Sequence, residues 1–149
     1  MARFFDLDEA NETIPELRTI LETLRDERSQ LIALRDEFAR RTALETAPGD
    51  ASAERTADDA AARTSESAAE RRRLRLRMQG VIDQMQAGVA RIDELGVTLR
   101  EIETGLIDFP ALATGRQIWL CWRLGEGDIE FWHELGDGFG GRRALADLT

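Results

Sequence analysis

The chain has 149 residues, of which 42% are hydrophobic and 33% are charged, a balance that fits one ordered domain and excludes a disordered chain. Its 29 acidic residues outnumber its 20 basic residues and give a net charge of −9, which disfavours binding to nucleic acid or to an anionic membrane. The longest apolar run, Ile118 to Trp122, is too short to cross a bilayer, and we see no export signal, so we expect a cytoplasmic protein. A single cysteine, Cys121, excludes a disulfide framework and a multi-cysteine zinc site.

Large apolar residues recur every seven positions in the first third of the chain, which predicts a long amphipathic helix over residues 14–45. The series consists of Leu17, Leu24, Leu31 and Phe38. Thr13 and Glu16 have the spacing of a capping box, and Pro15 stands in the first turn, where its missing N–H costs little. We therefore predict a short helix within residues 1–13 that meets the long helix at a kink.

A second heptad series predicts a second long helix over residues 71–104, ending before Gly105. The series consists of Met78, Met85, Ile92 and Leu99, and three glycines spaced eight apart suggest close approach of a partner helix: Gly80, Gly88 and Gly96. Residues 46–70 contain no Val, Ile, Leu, Met or aromatic residue, which predicts a linker or solvated stalk tip. The two helices are expected to form an antiparallel, coiled-coil-like hairpin.

The last part of the chain changes character, because glycine becomes frequent and all three tryptophans occur there. We predict a β-hairpin module with a Gly-rich tail over residues 105–149, with Glu126 and Gly127 as a two-residue hairpin loop. The strand-like segments Leu106–Phe109 and Arg3–Phe5 are expected to extend the sheet. The predicted fold class is therefore α+β, a single domain in which a long helical hairpin carries a small antiparallel sheet.

Alternation of side chains along the predicted hairpin gives each face a distinct content. In the register set by a two-residue loop, His133 lies on an apolar face with Leu120 and Trp122. Cys121 then lies on the opposite face, which argues against a metal site shared by Cys121 and His133. This register predicts a buried, structural histidine.

Five short strings stand out in the sequence, three of which contain Trp or Gly. They are Asp108-Phe109-Pro110-Ala111, the run from Cys121 to Glu126, the run from Trp132 to Leu135, the run from Gly138 to Arg142, and the opening run from Phe5 to Asn11. In combination they resemble a bacterial family of uncharacterised proteins, domain of unknown function 2203, over nearly the whole chain except the linker. The resemblance implies a small cytosolic protein of helical-hairpin type with no assigned activity, and therefore no catalytic residues to carry over.

His133 is the only histidine and thus the only imidazole available as a base or metal ligand. We favour a structural histidine. For the carboxylates in this part of the chain, we favour positions on the solvated surface. The alternative is a divalent metal site in which Asp108 and Glu134 supply oxygen ligands beside His133.

Two further groups of residues are candidates for binding. Arg142 and Arg143 follow a glycine-rich run and could hold an anion, although we favour a turn that only lets Phe139 pack back on the sheet. Trp119, Arg123 and Trp132 are predicted on the outer face of the hairpin and belong to residue types enriched at interfaces. We expect this face to be covered by the helices or by a partner.

These observations favour a non-enzymatic interaction or regulatory protein that self-associates as a homodimer through its helical seams and its Trp-rich face. Another protein partner is compatible with the same surfaces, whereas we expect no cofactor, no nucleic acid and no membrane. The alternative is a small-ligand or divalent-metal-dependent enzyme with its site at the C-terminal sheet around His133.

Overall fold

The computed structural model describes residues 3–46 and 57–148, and it has an α+β fold in which two long helices precede a five-stranded antiparallel sheet. The elements are α1 (Leu7–Thr46), α2 (Ala57–Glu94), β1 (Thr98–Glu101), β2 (Leu106–Ala113), β3 (Arg116–Arg123), β4 (Phe131–His133) and β5 (Arg143–Ala144), with short 3-10 segments at Phe139–Gly141 and Leu145–Asp147. Each strand pairs with its neighbour in the chain, in the order β1-β2-β3-β4-β5. The predicted fold class is confirmed.

The chain divides into two compact units. The sheet unit comprises Met1–Arg28 and Met85–Thr149, and the helical unit comprises Ser29–Gln84. Within the ranges that the structure describes, no helix is both long and apolar enough to span a membrane.

In the helical unit, α1 and α2 run antiparallel and are joined by side-chain contacts. Arg71 pairs with Glu45 at 3.0 Å, and the Arg75 guanidinium lies 5.3 Å from the centre of the Phe38 ring. Leu34 and Leu74 are buried there. Apolar burial in this unit is therefore sparse, and ion pairs and cation–π contacts supplement it.

One face of the sheet, the inner face, forms the core of the sheet unit together with both helices. Register places Ile107 opposite Trp122 and Phe109 opposite Leu120, so these four side chains share that face. All four are buried, and they belong to one cluster with helical residues that include Ala10, Ile14, Leu17, Leu21, Leu24 and Ile92. The other face, the outer face, lies outside this apolar core.

Helix α1 is continuous from Leu7 and includes Pro15, so the predicted short helix and kink are wrong. The N-terminal cap is Asp6, whose Oδ1 accepts a hydrogen bond of 2.7 Å from the Glu9 amide. Thr13, the predicted cap, is inside the helix and donates its hydroxyl to the Glu9 carbonyl. Asp6 with Glu9 and Thr13 with Glu16 both have the spacing of a capping box, and the helix starts at the first of these pairs.

Helix α2 ends at Glu94, ten residues earlier than predicted, because Gly96 adopts the left-handed conformation with φ +84°. The Gly96 amide donates to the Asp93 carbonyl at 2.9 Å, and the Val97 amide donates to the Ile92 carbonyl at 3.2 Å. This pair of bonds is a Schellman motif, and the buried side chains of Ile92 and Val97 supply its usual apolar contact. The stretch that follows forms β1 instead of more helix.

Helix α2 begins at Ala57, so the predicted start at Arg71 is also wrong. The Ala-rich stretch 57–70 has strong helix propensity and is tied to α1, since the Ser67 hydroxyl donates to the Glu45 carboxylate. Residues 47–56 of the predicted linker lie outside the described residues.

Strand β4 pairs with β3 one residue away from the predicted register. Trp119 faces His133 and Leu120 faces Trp132, whereas a two-residue loop would set Leu120 opposite His133. Because side chains alternate, this shift moves Trp132 to the inner face and His133 to the outer face.

The shift is possible because β3 and β4 are joined by the longer segment 124–130. Within that segment, the amide of the buried Ile129 donates a 2.8 Å hydrogen bond to Oδ1 of Asn11 on α1 instead of pairing with β3. The Trp122 indole N–H donates to the Gly127 carbonyl at 2.7 Å. A side chain that is distant in sequence thus helps to set the register.

Close helix approach, predicted at three glycines, occurs at one of them. A Cβ at Gly88 would lie 3.1 Å from a methyl carbon of Leu24, whereas a Cβ at Gly80 would meet nothing within 4 Å. Gly96 lies beyond the end of the helix. Only Gly88 therefore serves helix packing.

Gly88 and Gly80 give a matched pair of substitutions. Gly88→Leu should lower the free energy of unfolding by about 1–3 kcal/mol, because the new side chain must displace Leu24. Gly80→Ala should raise it by about 0.5–1 kcal/mol through helix propensity alone. Urea denaturation followed by circular dichroism measures both, and equal stability of Gly88→Leu and the wild type would contradict the helix packing described above.

Candidate metal centre

The hairpin of β2 and β3 sets Asp108 directly opposite Cys121. Its two-residue turn consists of Thr114 (φ 50°) and Gly115 (φ 78°), and positive φ at both positions is typical of a type I′ turn. This turn fixes the register of the whole hairpin. Both Asp108 and Cys121 therefore lie on the outer face.

Strand β4 brings His133 to the same place. One potential ligand atom from each of Asp108, Cys121 and His133 can be chosen so that all three lie within 4.8 Å of one another. The residues are only 2%, 1% and 2% exposed, respectively. The prediction that Cys121 and His133 lie on opposite faces is thus wrong.

The Asp108 carboxylate is the centre of this cluster. Its Oδ2 accepts a 2.8 Å hydrogen bond from Nε of Arg100 and lies 3.0 Å from Nε2 of His133. Its Oδ1 is buried and has no hydrogen-bond partner among the described residues. An unpartnered, buried carboxylate oxygen is costly, so this position favours a cation or donor that would satisfy it.

The hydrogen bond of the His133 Nδ1 atom restricts the tautomer of the ring and therefore the role of Nε2. Nδ1 lies 2.8 Å from the backbone carbonyl of Glu134, and since a carbonyl only accepts, Nδ1 carries a proton. Nε2 then faces the Asp108 carboxyl group in one of three ways: as the second N–H of an imidazolium, as the acceptor of a proton held by Asp108, or as a lone pair that binds a shared cation. In a metal-binding histidine, the ring nitrogen that does not bind the metal commonly donates its N–H to a backbone carbonyl, as Nδ1 does here.

Burial raises the pKa of the Cys121 thiol to about 12, and the neighbouring Asp108 charge acts in the same direction, against a smaller opposing effect of Arg142. The thiol is therefore protonated at neutral pH and is a poor nucleophile. A bound metal would deprotonate it, because the thiolate is the ligand form.

A pocket of about 320 Å³ is lined by the three clustered side chains. Its other lining residues are Arg100 and Leu106 from the sheet and the segment 135–139 that follows β4. Asp137 of this segment packs closely against Gly141, since a Cβ at Gly141 would lie 2.6 Å from Cβ of Asp137. The cluster therefore borders a space large enough for a small molecule.

Glu134, predicted as a metal ligand, is not part of the cluster. Its carboxylate pairs with Arg116 at 2.6 Å, and this contact lowers the pKa of Glu134. Of the predicted set, the structure brings together Asp108 and His133. Sequence reasoning argued against Cys121 as a partner of His133 and did not consider Arg100, although the Thr114–Gly115 turn was a signal that would have placed Cys121 opposite Asp108.

Arg142 and Arg143, the candidate anion site, do not converge. Arg142 donates to the Glu126 carboxylate at 2.7 Å, and its guanidinium lies 4.0 Å from the centre of the Phe131 ring on the outer face. The Arg143 guanidinium instead lies 5.4 Å from the ring of Trp132, an inner-face residue. Arg142 is thus already neutralised, which leaves no shared anion site.

The three predicted interface residues do not share one face. Trp132 is buried in the core, and its indole N–H donates to the Ala144 carbonyl at 3.2 Å. Trp119 is on the outer face under the Arg100 guanidinium, and the Arg123 guanidinium lies 5.1 Å from a Phe139 ring. The predicted Trp-rich outer face is therefore wrong in composition.

Comparison with known proteins gives one match, to a family. The family model described as an uncharacterized conserved protein (DUF2203) matches residues 3–145, a range that includes Asp108, Cys121 and His133. No curated protein and no solved structure matches the chain. The chain belongs to the DUF2203 family.

Proposed function

We propose that this protein is a metal-dependent enzyme that binds a zinc-class ion through Asp108, Cys121 and His133 and acts on a small ligand in the adjoining pocket. The observation that carries the proposal is the buried Asp108 Oδ1, which has no hydrogen-bond partner among the described residues and belongs to a cluster with a thiol and an imidazole. This proposal departs from the sequence-based expectation of a cofactor-free interaction protein.

The donor set favours a particular class of metal. One sulfur, one nitrogen and one carboxylate oxygen suit zinc or a similar transition ion, whereas magnesium and calcium prefer oxygen ligands alone. Ligand atoms of a tetrahedral zinc site lie about 3.3–3.8 Å apart, given Zn–ligand bonds of about 2.0–2.3 Å. The observed limit of 4.8 Å is within about 1.5 Å of that spacing. Small side-chain adjustments would bring the three ligand atoms to that spacing.

Three protein ligands leave one coordination position of a tetrahedral ion open. That arrangement is characteristic of catalytic zinc, which acidifies a bound water or polarises a substrate oxygen, whereas structural sites use four protein ligands. All three side chains line the pocket, so the open position has space for a ligand. Arg100 positions Asp108 through the 2.8 Å bond to Oδ2 and leaves Oδ1 available.

Cobalt provides a spectroscopic test of this site. Metal-free protein titrated with Co²⁺ should bind one equivalent and develop a thiolate-to-cobalt charge-transfer band in the near ultraviolet. Cys121→Ser should abolish that band, and His133→Gln should weaken binding by about 100-fold or more, since even outer-shell partners of a metal cost about 10–100-fold.

Glu134→Gln is the matched control, because Glu134 follows His133 in sequence but its carboxylate pairs with Arg116. This variant should bind Co²⁺ like the wild type. Circular dichroism of each variant checks that it is folded. Failure of folded wild-type protein to bind Co²⁺, or a band that persists in Cys121→Ser, would contradict the proposed site.

We also propose that the protein forms a homodimer through its helical unit. Leu44 and Leu76 support this, because their side chains are 76% and 73% exposed. The unit to which they belong also buries few apolar side chains of its own. Burying such side chains against a second copy would remove apolar surface from water. The predicted Trp-rich face gives no support, since Trp132 is in the core.

Light scattering coupled to size exclusion tests the dimer. The wild type should have the mass of a dimer at micromolar concentration, and the double variant Leu44→Ser, Leu76→Ser should be a monomer. Leu112→Ser is the matched control, because Leu112 is also exposed but belongs to the sheet unit. A monomeric wild type, or a dimer unaffected by the double substitution, would contradict this proposal.

A further inference from the structure

We propose that the pocket at the metal centre takes a small monocarboxylate that carries an apolar group. Its carboxylate would lie between the open coordination position and Arg100, and its apolar group against Leu135 and Phe139. This inference rests on the proposed function, since the metal supplies one of the two contacts to the carboxylate.

Arg100 is the group in the pocket that is suited to an anion. Its Nε donates to the Asp108 carboxylate, and among the described residues Nη1 and Nη2 make no hydrogen bond to another side chain or carbonyl. The guanidinium lies 4.9 Å from the centre of the Trp119 ring, which restricts its position, and the side chain is 41% exposed. Arginine donors match carboxylate oxygens in pairs, so the remaining donors favour such a ligand.

One further acid, Asp137, bears on the choice between a carboxylate and a more highly charged anion. Asp137 lines the pocket together with Asp108, so the lining contains two carboxylates and one guanidinium. A phosphate with two charges would be repelled more strongly than a monocarboxylate with one. The pocket therefore favours a singly charged ligand.

Three apolar side chains also line the pocket, and two of them are partly open to solvent. Leu135 is 54% exposed and Phe139 is 41% exposed, and both line the pocket with Leu106. Exposed apolar side chains around a few polar groups are the usual composition of a small-molecule site. The volume of about 320 Å³ is sufficient for a ligand the size of one aromatic ring with its carboxylate.

Benzoate, acetate and benzamide are suitable probes of this arrangement. Each is titrated into the full-length protein loaded with one equivalent of Co²⁺, and the visible cobalt spectrum reports binding at the metal. Benzoate should bind about tenfold more tightly than benzamide, which lacks the charge, since a hydrogen bond to a charged group contributes about tenfold or more in affinity. It should also bind about tenfold more tightly than acetate, which lacks the ring.

Arg100→Gln keeps an amide donor for Asp108 but removes the charged fork, so it should reduce the preference for benzoate over benzamide to the part that the metal alone supplies. Arg91→Gln is the matched control, because Arg91 pairs with Glu16 and Glu94 in the same unit and does not line the pocket. It should retain the preference.

The outcomes separate this inference from the proposed function. Normal Co²⁺ binding with no preference of the wild type for benzoate over benzamide would overturn the inference and leave the metal centre intact. Absence of the thiolate-to-cobalt band would overturn both. The comparison of probes on the wild type decides the matter even if Arg100→Gln does not fold.

Discussion

The register of β4 on β3 is the constraint on which the candidate site depends. Because side chains of a strand alternate between faces, a shift of one residue exchanges the buried core positions with the positions of the outer face. The observed register places Trp132 in the core and His133 beside Cys121 and Asp108. The segment between the two strands fixes this register through the hydrogen bond from the Ile129 amide to Asn11 of α1. Helix packing and the chemistry of the outer face are therefore linked by one strand pairing.

Removing the Asp108 carboxylate from water is an electrostatic cost of this arrangement. A charge removed from water must be compensated by partners, and Oδ2 has two of them, Arg100 and His133. Oδ1 has no hydrogen-bond partner in the described part of the chain. A metal ion shared with Cys121 and His133 would compensate both that oxygen and the thiolate. The same ion would explain why the His133 ring donates from Nδ1 to a backbone carbonyl and presents Nε2 to the carboxylate.

Sequence reasoning captured the features that depend on local patterns and missed those that depend on distant contacts. Heptad spacing and the change of period near residue 105 sufficed for the fold class, because amphipathic helices and alternating strands leave strong periodic signals. The Schellman glycine Gly96 was also legible, but it was interpreted as a packing glycine within a longer helix. The register around His133 was not legible, since it depends on the bond from Ile129 to Asn11, which is 118 positions away in the chain. The candidate site was therefore only half predicted: Asp108 and His133 were named, but His133 was assigned to the inner face, away from Cys121.

In the proposed site, one metal ion is shared by a sulfur, a nitrogen and an oxygen on the outer face of the sheet. X-ray absorption at the zinc edge, on protein loaded with one equivalent of Zn²⁺, measures those ligands directly. We expect a single sulfur at about 2.3 Å and nitrogen or oxygen ligands at about 2.0–2.2 Å. A spectrum without sulfur, or with several sulfurs from different chains, would contradict it.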